Sequence, residues 1–199
     1  NLGLLSSLFQ NKKIEISGII LFERDELIPS PNKNLSSDLK RLWSLHFHKR
    51  YLSEKNFFDI DKIYEKKISN IIKIKSENEF NDKKIINFVN KLKVDLCFIT
   101  GTPIIKDPLL SMLPAYSINL HLGIIPYYKG AITMFWPFYF LEPTMAGTTY
   151  HIIDKYVDTG EILHNNVPNL NRGDGMHDVA SKAVLSAHKD LDLVVREVQ

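Results

Sequence analysis

Three polar side chains of this chain have the types and spacing that acyl transfer from a carbonyl carbon to an amine requires. Asn119 and His121 stand two residues apart, and Asp158 follows later, directly before Thr159-Gly160. An amide can donate a hydrogen bond to the oxyanion of a tetrahedral intermediate, and an imidazole beside a carboxylate can move the proton of the attacking amine. These residues form a candidate catalytic set that needs no serine or cysteine nucleophile.

The candidate set depends on how the segments around it fold. Residues 116–120 predict a short β-strand, and because side chains alternate along a strand, Asn119 and His121 project from the same face. Residues 147–153 predict a second strand, and Asp158 follows it in a loop that Gly160 helps to turn. Asp158 could therefore reach back to His121. Each residue also has a purely structural interpretation, as a turn cap, a strand-end histidine or a turn aspartate.

Composition limits the classes of protein that this chain can be. With 199 residues, 44% of them hydrophobic and 24% charged, it predicts one globular domain and not a disordered chain. The net charge of +2 is spread over interleaved acids and bases, which gives no support to nucleic-acid binding. We find no membrane-spanning apolar run and no signal segment. The single cysteine, Cys97, excludes a disulfide within the chain and favours a cytoplasmic location.

The pattern of predicted elements indicates the fold class. The chain starts with a helical pattern, and then strands and helices alternate; the predicted segments are a helix over 2–9, a strand over 14–21, a loop over 23–36, a helix from residue 37, a strand over 68–74, a helix over 82–92 and a strand over 94–100. This alternation predicts a Rossmann-like α/β fold, an open, mostly parallel sheet with helices on both faces. In such a fold a strand precedes the first helix, so we expect that the first strand is missing from this chain.

The second half of the chain predicts three more helices. They cover residues 108–113, residues 131–141, where Trp136 and the phenylalanines are expected in the core, and a final segment with Asp174 as N-cap. We predict no metal site. Two histidines in His46-Phe47-His48 would point roughly 200° apart on a helix, which suits no single ion. His46 is expected to be packed and His48 solvated.

The motifs together resemble the formyltransferase family, which includes the glycinamide ribonucleotide, methionyl-tRNA and sugar N-formyltransferases. The resemblance is carried by Ser117-Ile118-Asn119-Leu120-His121, by Tyr128-Lys129-Gly130-Ala131 and by residues 154–163, and it extends from about Lys93 to His188. It implies that residues 1–199 are a single catalytic domain of one-carbon metabolism with a helical insertion at about 37–65. It further implies formyl-tetrahydrofolate as donor, a small-molecule amine as acceptor, and Asn119, His121 and Asp158 as catalytic residues.

The resemblance also assigns two binding segments. The donor pocket would be lined by residues after a predicted strand, at the carboxyl edge of the sheet, and by residues before Asp158; they are Gly101, Thr102, Pro103, Ile104, Ile105, Ile153, Tyr156 and Val157. The acceptor would contact the loop Tyr127, Tyr128, Lys129 and Gly130. Lys129 could bind a phosphate or carboxylate, or be an ordinary solvated charge.

The acceptor is less constrained than the donor. Where many members of the family have Pro-Ser after the histidine, this chain has Leu122-Gly123. We prefer a nucleotide-linked amino sugar; the alternatives are glycinamide ribonucleotide, hydrolysis of formyl-tetrahydrofolate, and a folate-binding protein without activity. A tRNA acceptor is disfavoured because few residues follow Asp158. Homodimer formation stays open.

Overall fold

The computed structural model of the chain describes residues 2–23, 28–58 and 70–198. The helices are α1 (Leu2–Gln10), α2 (Ser37–Phe57), α3 (Glu77–Phe80), α4 (Lys83–Leu92), α5 (Leu109–Met112), α6 (Trp136–Tyr139) and α7 (Met176–Glu197), with a 3₁₀ turn at Pro143–Met145. The strands are β1 (Ile19–Phe22), β2 (Ile71–Ile74), β3 (Leu96–Ile99), β4 (Tyr116–His121), β5 (Thr148–Ile152) and β6 (Ile162–Asn166).

The strands form two ladders. In the smaller one β1 and β2 are parallel, with Ile19 opposite Ile71. The larger has the order β3-β4-β5-β6, in which β3 and β4 are parallel while β5 and β6 continue antiparallel. The predicted α/β class is confirmed, with an antiparallel edge added at β5 and β6. The strands β2 and β3 on either side of α4 belong to different ladders.

The main core lies on one face of the larger sheet. Ile118 and Leu120 of β4 are buried there together with residues of α1, β5 and α7; the buried members are Leu4, Leu8, Ile118, Leu120, Tyr150, Ala187, Leu191, Val194 and Val195. Burying a side chain of this size contributes about 1.5–3 kcal/mol. Because side chains alternate along β4, the same burial directs Asn119 and His121 to the opposite face. A second core joins β2 to α3, α4 and α5.

Helices α2 and α7 confirm the predicted elements with one correction. α2 begins as predicted, because Ser36 accepts a hydrogen bond from Leu39 N and caps it. α7 is capped at Gly175 and not at the predicted Asp174, since the Asp174 carboxylate is taken by Lys182 (2.6 Å). α2 packs on α7, where the hydroxyls of Ser53 and Ser181 are hydrogen-bonded at 3.2 Å.

Several predicted segments in the first half differ from the structure. The strand predicted over 14–21 begins at Ile19, because its ladder partner β2 begins at Ile71. Leu39 and Leu42 of α2 are apolar but half exposed. Parts of three predicted segments lie outside the described residues, namely 24–27 of the loop, 59–65 of the insertion and 68–69 of the strand.

The helix predicted over 131–141 is wrong in extent and in packing. Only Trp136–Tyr139 is helical, since Ile132 (φ 61°) and Leu141 (φ 60°) have left-handed backbone conformations, which interrupt a right-handed helix. Trp136 is 37% and Phe140 58% exposed, so the prediction that they lie in the core is wrong. The apolar pattern did not show that the chain turns at both ends of this segment. No helix in the described ranges has the length and apolarity to cross a membrane.

Candidate active site

Four side chains from β4, β5 and the loop before β6 converge on the face of the sheet opposite the main core. The Asp158 carboxylate lies between two imidazoles, with Oδ2 3.3 Å from His121 Nδ1 and Oδ1 3.4 Å from His151 Nε2. Asn119 Nδ2 lies 3.1 Å from the same His151 Nε2. The two rings and the carboxylate are buried. The structure thus brings the three predicted residues together and adds a fourth, His151.

The backbone holds Asp158 in a fixed orientation. Gly130 N donates a hydrogen bond to Asp158 Oδ2 at 2.7 Å, and Asp158 itself has φ 51°. Gly160 is required because there is no space for a side chain, and not because the loop needs a positive φ there. A Cβ at Gly160 would lie 1.8 Å from Ile152 O, so only glycine lets the loop pass this close to β5.

The surroundings keep the Asp158 carboxylate charged. Burial by itself would raise the pKa of Asp158, but the neighbouring imidazole of His151, the hydrogen bond from Gly130 N and the neighbouring imidazole of His121 lower the pKa below its usual value of 3.8. Asp158 is therefore ionised at neutral pH and can stabilise a proton on either ring.

The partners of His121 fix its tautomer. Nε2 lies 2.8 Å from Tyr128 O, and because a carbonyl oxygen only accepts, Nε2 carries a hydrogen. In the neutral ring the lone pair is then on Nδ1, the atom that faces Asp158. The 3.3 Å separation is longer than a charge-assisted hydrogen bond of about 2.7–2.9 Å. His121 Nδ1 is thus oriented to receive a proton on the carboxylate side of the ring.

The loop after His121 is anchored to β5 by one hydroxyl. Thr149 Oγ1 accepts from Ile125 N (3.1 Å) and lies 2.7 Å from Gly123 O. At the other end of the loop, Thr133 Oγ1 donates to Leu122 O. A Cβ at Gly123 would lie 2.5 Å from Tyr128 O and 2.7 Å from His121 Nε2, so this path of the loop requires glycine.

The predicted acceptor loop contacts the site through its backbone. Tyr128 O accepts a hydrogen bond from His121 Nε2, and Gly130 N donates one to Asp158 Oδ2. The Tyr128 hydroxyl donates to Glu142 at 2.7 Å, and this hydrogen bond raises the pKa of Tyr128. Tyr127 is 73% exposed, and Lys129 is exposed as well. The side chains of Tyr127 and Lys129 therefore face solvent and are accessible to a ligand.

The predicted donor segments follow β3 and β5, which lie on either side of β4 and run in opposite directions. Residues 101–105 follow β3, and Thr100 Oγ1 donates to Leu120 O beside His121. Asn81 holds this segment at two points, donating to Ile104 O (3.1 Å) and accepting from Lys106 N (2.9 Å). Ile153 N donates to Ser117 O of β4.

The exposure of the donor residues fits a binding surface. Ile104 is 63% exposed, Tyr156 64% and Val157 49%, whereas Ile105 packs on the second core. Exposed apolar side chains beside a polar site can contact the ring system of a ligand. A cavity of about 390 Å³ lies elsewhere, between residues 15–17 and α4, and no predicted site residue lines it.

The two histidines considered for a metal lie on α2, in different environments. His46 is half-buried against His177 of α7, with ring centroids 4.6 Å apart, and His48 is exposed. Among the described residues no cluster of three or more histidine, cysteine or acidic side chains could hold a metal ion.

The sequence did not predict His151 as a site residue, because its neighbours form no recognisable catalytic motif. It lies in the middle of a strand of threonine, tyrosine and isoleucine, and its importance depends on the register that places it opposite Asn119. The available clue was the position of His151, which lies two residues after Thr149, at strand spacing, and close in sequence to Asp158.

A model of the formyl transferase family matches residues 31–195, most of the chain. The chain belongs to this family. It is 31% identical over 114 residues to the bifunctional polymyxin resistance protein ArnA of Wigglesworthia glossinidia brevipalpis, which is 57% of this chain and 17% of that protein. It is 30% identical over 102 residues to the methionyl-tRNA formyltransferase of a Nostoc species, which is 51% of this chain and 30% of that enzyme. The match thus spans less than a third of each relative.

The fold agrees with solved structures of the family. The phosphoribosylglycinamide formyltransferase of Anaplasma phagocytophilum superposes with a TM-score of 0.65 at 20% identity, covering 98% of this chain and 79% of that one. At this identity the likeness is one of fold, and it confirms the Rossmann-like α/β architecture of this formyl transferase family member.

Proposed function

We propose that this formyl transferase family member transfers a formyl group from formyl-tetrahydrofolate to an amine. The observation that carries the proposal is the Asp158 carboxylate within 3.4 Å of two imidazoles, one of which lies 3.1 Å from the Asn119 amide. This set offers a hydrogen-bond donor for an oxyanion and a base for an amine proton. Asn119, His121 and Asp158 are the proposed catalytic residues.

The proposed reaction forms one C–N bond and breaks another. The acceptor nitrogen attacks the formyl carbon, and Asn119 with protonated His121 stabilises the oxyanion of the tetrahedral intermediate. Asp158, directly or through a water, takes the proton that the acceptor nitrogen loses, and this proton passes to the departing donor nitrogen as its bond to the formyl carbon breaks. The products are a formamide and tetrahydrofolate.

Holding both substrates in place supplies the other part of the rate acceleration. Gly101, Thr102, Pro103, Ile104 and Ile105 with Ile153, Tyr156 and Val157 are the proposed donor surface. Bringing two reactants together in one geometry removes much of the entropic part of the barrier. Asn81 contributes indirectly, because its two hydrogen bonds fix the backbone of residues 104–106.

The preferred acceptor is an amino sugar carried on a nucleotide. The support is the set of exposed rings in and after the loop that follows His121, namely Tyr127, Trp136, Tyr139 and Phe140. Aromatic faces of this kind suit the apolar face of a sugar or the plane of a base. Lys129, exposed in the same loop, would favour a phosphate group. The relative named methionyl-tRNA formyltransferase acts on another kind of acceptor, so the test includes several classes.

The experiment incubates the purified protein with formyl-tetrahydrofolate and a panel of amines, namely nucleotide-linked amino sugars, free amino sugars, glycinamide ribonucleotide and charged methionyl-tRNA. Absorbance of the released tetrahydrofolate and mass spectrometry of the acceptor are followed together. We expect one class to gain the mass of a formyl group in step with tetrahydrofolate release. Free formate without acceptor would indicate a hydrolase, and donor binding without turnover would indicate a folate-binding protein.

A further inference from the structure

His151 is a buried imidazole of the site to which the proposed reaction gives no part. It is 2% exposed and lies between two residues that do take part, Asn119 and Asp158, both contacted by its Nε2. A ring buried between two reactive groups either fills space or controls how they are oriented. The hydrogen bonds of the ring distinguish the two.

The other nitrogen of the ring decides the tautomer. His151 Nδ1 lies 2.9 Å from Ile152 O. Because a carbonyl oxygen only accepts, Nδ1 carries a hydrogen, and in the neutral ring Nε2 has the lone pair. The contact with Asn119 is then a hydrogen bond from the amide N–H₂ to His151 Nε2.

We propose that His151 is a positioning residue that fixes which way the Asn119 amide faces. The inference rests on the proposed function. An amide side chain can turn by 180° and exchange its oxygen for its nitrogen, and these have opposite effects on an oxyanion. The lone pair on His151 Nε2 attracts the N–H₂ group and repels the oxygen. One N–H is then held by His151, and the second is available to the oxyanion.

Protonation of His151 Nε2 would remove the lone pair that orients the Asn119 amide. With a hydrogen on Nε2 the ring donates to Asp158 Oδ1, 3.4 Å away, and no longer accepts from Asn119. The groups that face the ring are Asn119 and His121 on β4 and Asp158 in the loop, while its partner on β6 is the apolar Ile162. The orientation of the amide thus depends on a neutral His151.

The first test needs no substrate. Nitrogen-15 NMR of the wild-type protein at neutral pH reports which ring nitrogen of each histidine carries the hydrogen. We expect the Nδ1–H tautomer at His151, and an Asn119 side-chain amide signal that shifts in His151→Phe. A hydrogen on Nε2, whether the ring is neutral or carries hydrogens on both nitrogens, would overturn the proposal, because that ring could not accept from Asn119.

The second test is a double-mutant cycle on turnover. We expect His151→Phe to lower kcat by about 10–100-fold, less than the roughly 100–1,000-fold typical of removing an oxyanion donor, with KM for the donor changed less than about twofold. In the Asn119→Ala background the same change should cost less than about threefold, because there is no amide left to orient. Equal losses in both backgrounds would show a structural role and overturn the proposal.

Two further variants keep the result interpretable. His151→Gln retains an oxygen that can accept from Asn119 and should recover most of the kcat lost in His151→Phe. His164→Gln makes the same change on the neighbouring strand, at a ring paired with Asp190 outside the site, and should leave kcat unchanged. If the wild-type protein formylates no acceptor, the proposed function fails, while the tautomer measurement still tests the orientation of Asn119.

Discussion

At the scale of single residues, one carboxylate serves two imidazoles. Asp158 uses Oδ2 for His121 and Gly130 N, and Oδ1 for His151. Since its pKa is lowered in the folded protein, the ionised carboxylate stabilises the fold above its ordinary value of 3.8, and this contribution is lost as the pH falls through the lowered pKa. Near neutral pH the charge is present and can offset a proton on either ring.

This arrangement predicts a large effect from an isosteric change. Asp158→Asn removes the charge but keeps the size of the side chain, so we expect turnover to fall by about 100–10,000-fold, the range typical of a lost general acid or base. Steady-state formyl transfer near neutral pH measures the loss, and circular dichroism checks that the fold is retained. Asp190→Asn, which alters the His164 pair outside the site, is the matched control. Turnover of a folded Asp158→Asn within tenfold of wild type would remove Asp158 from the chemistry.

The sequence predicted most of this site because strand alternation is a local property. Asn119 and His121 are two residues apart on one strand, and the convergence of Asp158 followed from a loop placed after the next strand. Two features depended on information that is not local. The register of β4 against β5 places His151 opposite Asn119, and the path of residues 122–133 brings Tyr128 O to His121.

At the scale of elements, β5 holds the loop after His121 through one of two adjacent threonines. Thr148 and Thr149 are both fully buried. Thr149 Oγ1 accepts a hydrogen bond from Ile125 N and lies 2.7 Å from Gly123 O, whereas Thr148 Oγ1 is buried and has no hydrogen-bond partner among the described residues. Neighbouring residues of one type and equal burial thus differ in what their hydroxyl groups do.

The difference predicts opposite outcomes for the same substitution. Thr149→Val leaves buried loop groups unpaired, so we expect the free energy of unfolding to fall by about 1–3 kcal/mol, and turnover to fall because the loop that holds His121 loosens. Thr148→Val removes only an unpaired hydroxyl and should be neutral or stabilising. Urea unfolding of both variants, with turnover measured alongside, checks the prediction. Equal stability losses would contradict the hydrogen-bond assignment of Thr149.

The prediction of helices and strands failed in one apolar segment of the second half of the chain. The periodic segment α4 was predicted nearly to both ends, and the predicted N-cap of α7 was one residue from the observed one, because their apolar residues repeat with the helical period. The segment over 131–141 is equally apolar, but its two left-handed residues, Ile132 and Leu141, are of types that rarely adopt that conformation. No local signal indicated them, and the exposed aromatic surface they leave was therefore not predicted.

At the scale of the whole molecule, α7 connects the parts of the fold. One side of it completes the core under the catalytic sheet, and another packs on α2. Three histidines lie along α7 or at its contact with α2. His46 and His177 meet between the two helices, and burial lowers the pKa of each; the positive charge of Arg50 lowers both further. His188 is buried on α7, where its Nε2 has no hydrogen-bond partner within the described part of the chain, and burial lowers its pKa to about 4.

The buried His188 predicts that stability falls on acidification. Below its ordinary pKa of 6.5 the unfolded chain takes up a proton at this residue, but the folded protein takes it up only near pH 4. The folded state therefore loses stability as the pH falls from about 6.5 towards 4, by about 1.4 kcal/mol per pH unit from this residue. His46 and His177 act in the same direction, so the contribution of His188 is obtained by comparing variants.

The measurement is urea unfolding at about pH 7.5 and pH 5. The wild-type protein should lose about 2 kcal/mol more between these two values than His188→Gln, which has no titrating ring there. His48→Gln, an exposed position on α2, should keep the wild-type slope. If His188→Gln and the wild-type protein lost stability equally, the ring would already be protonated or solvated in the folded state. The packing of α7 against the protein interior at residue 188 would then be looser than the structure shows.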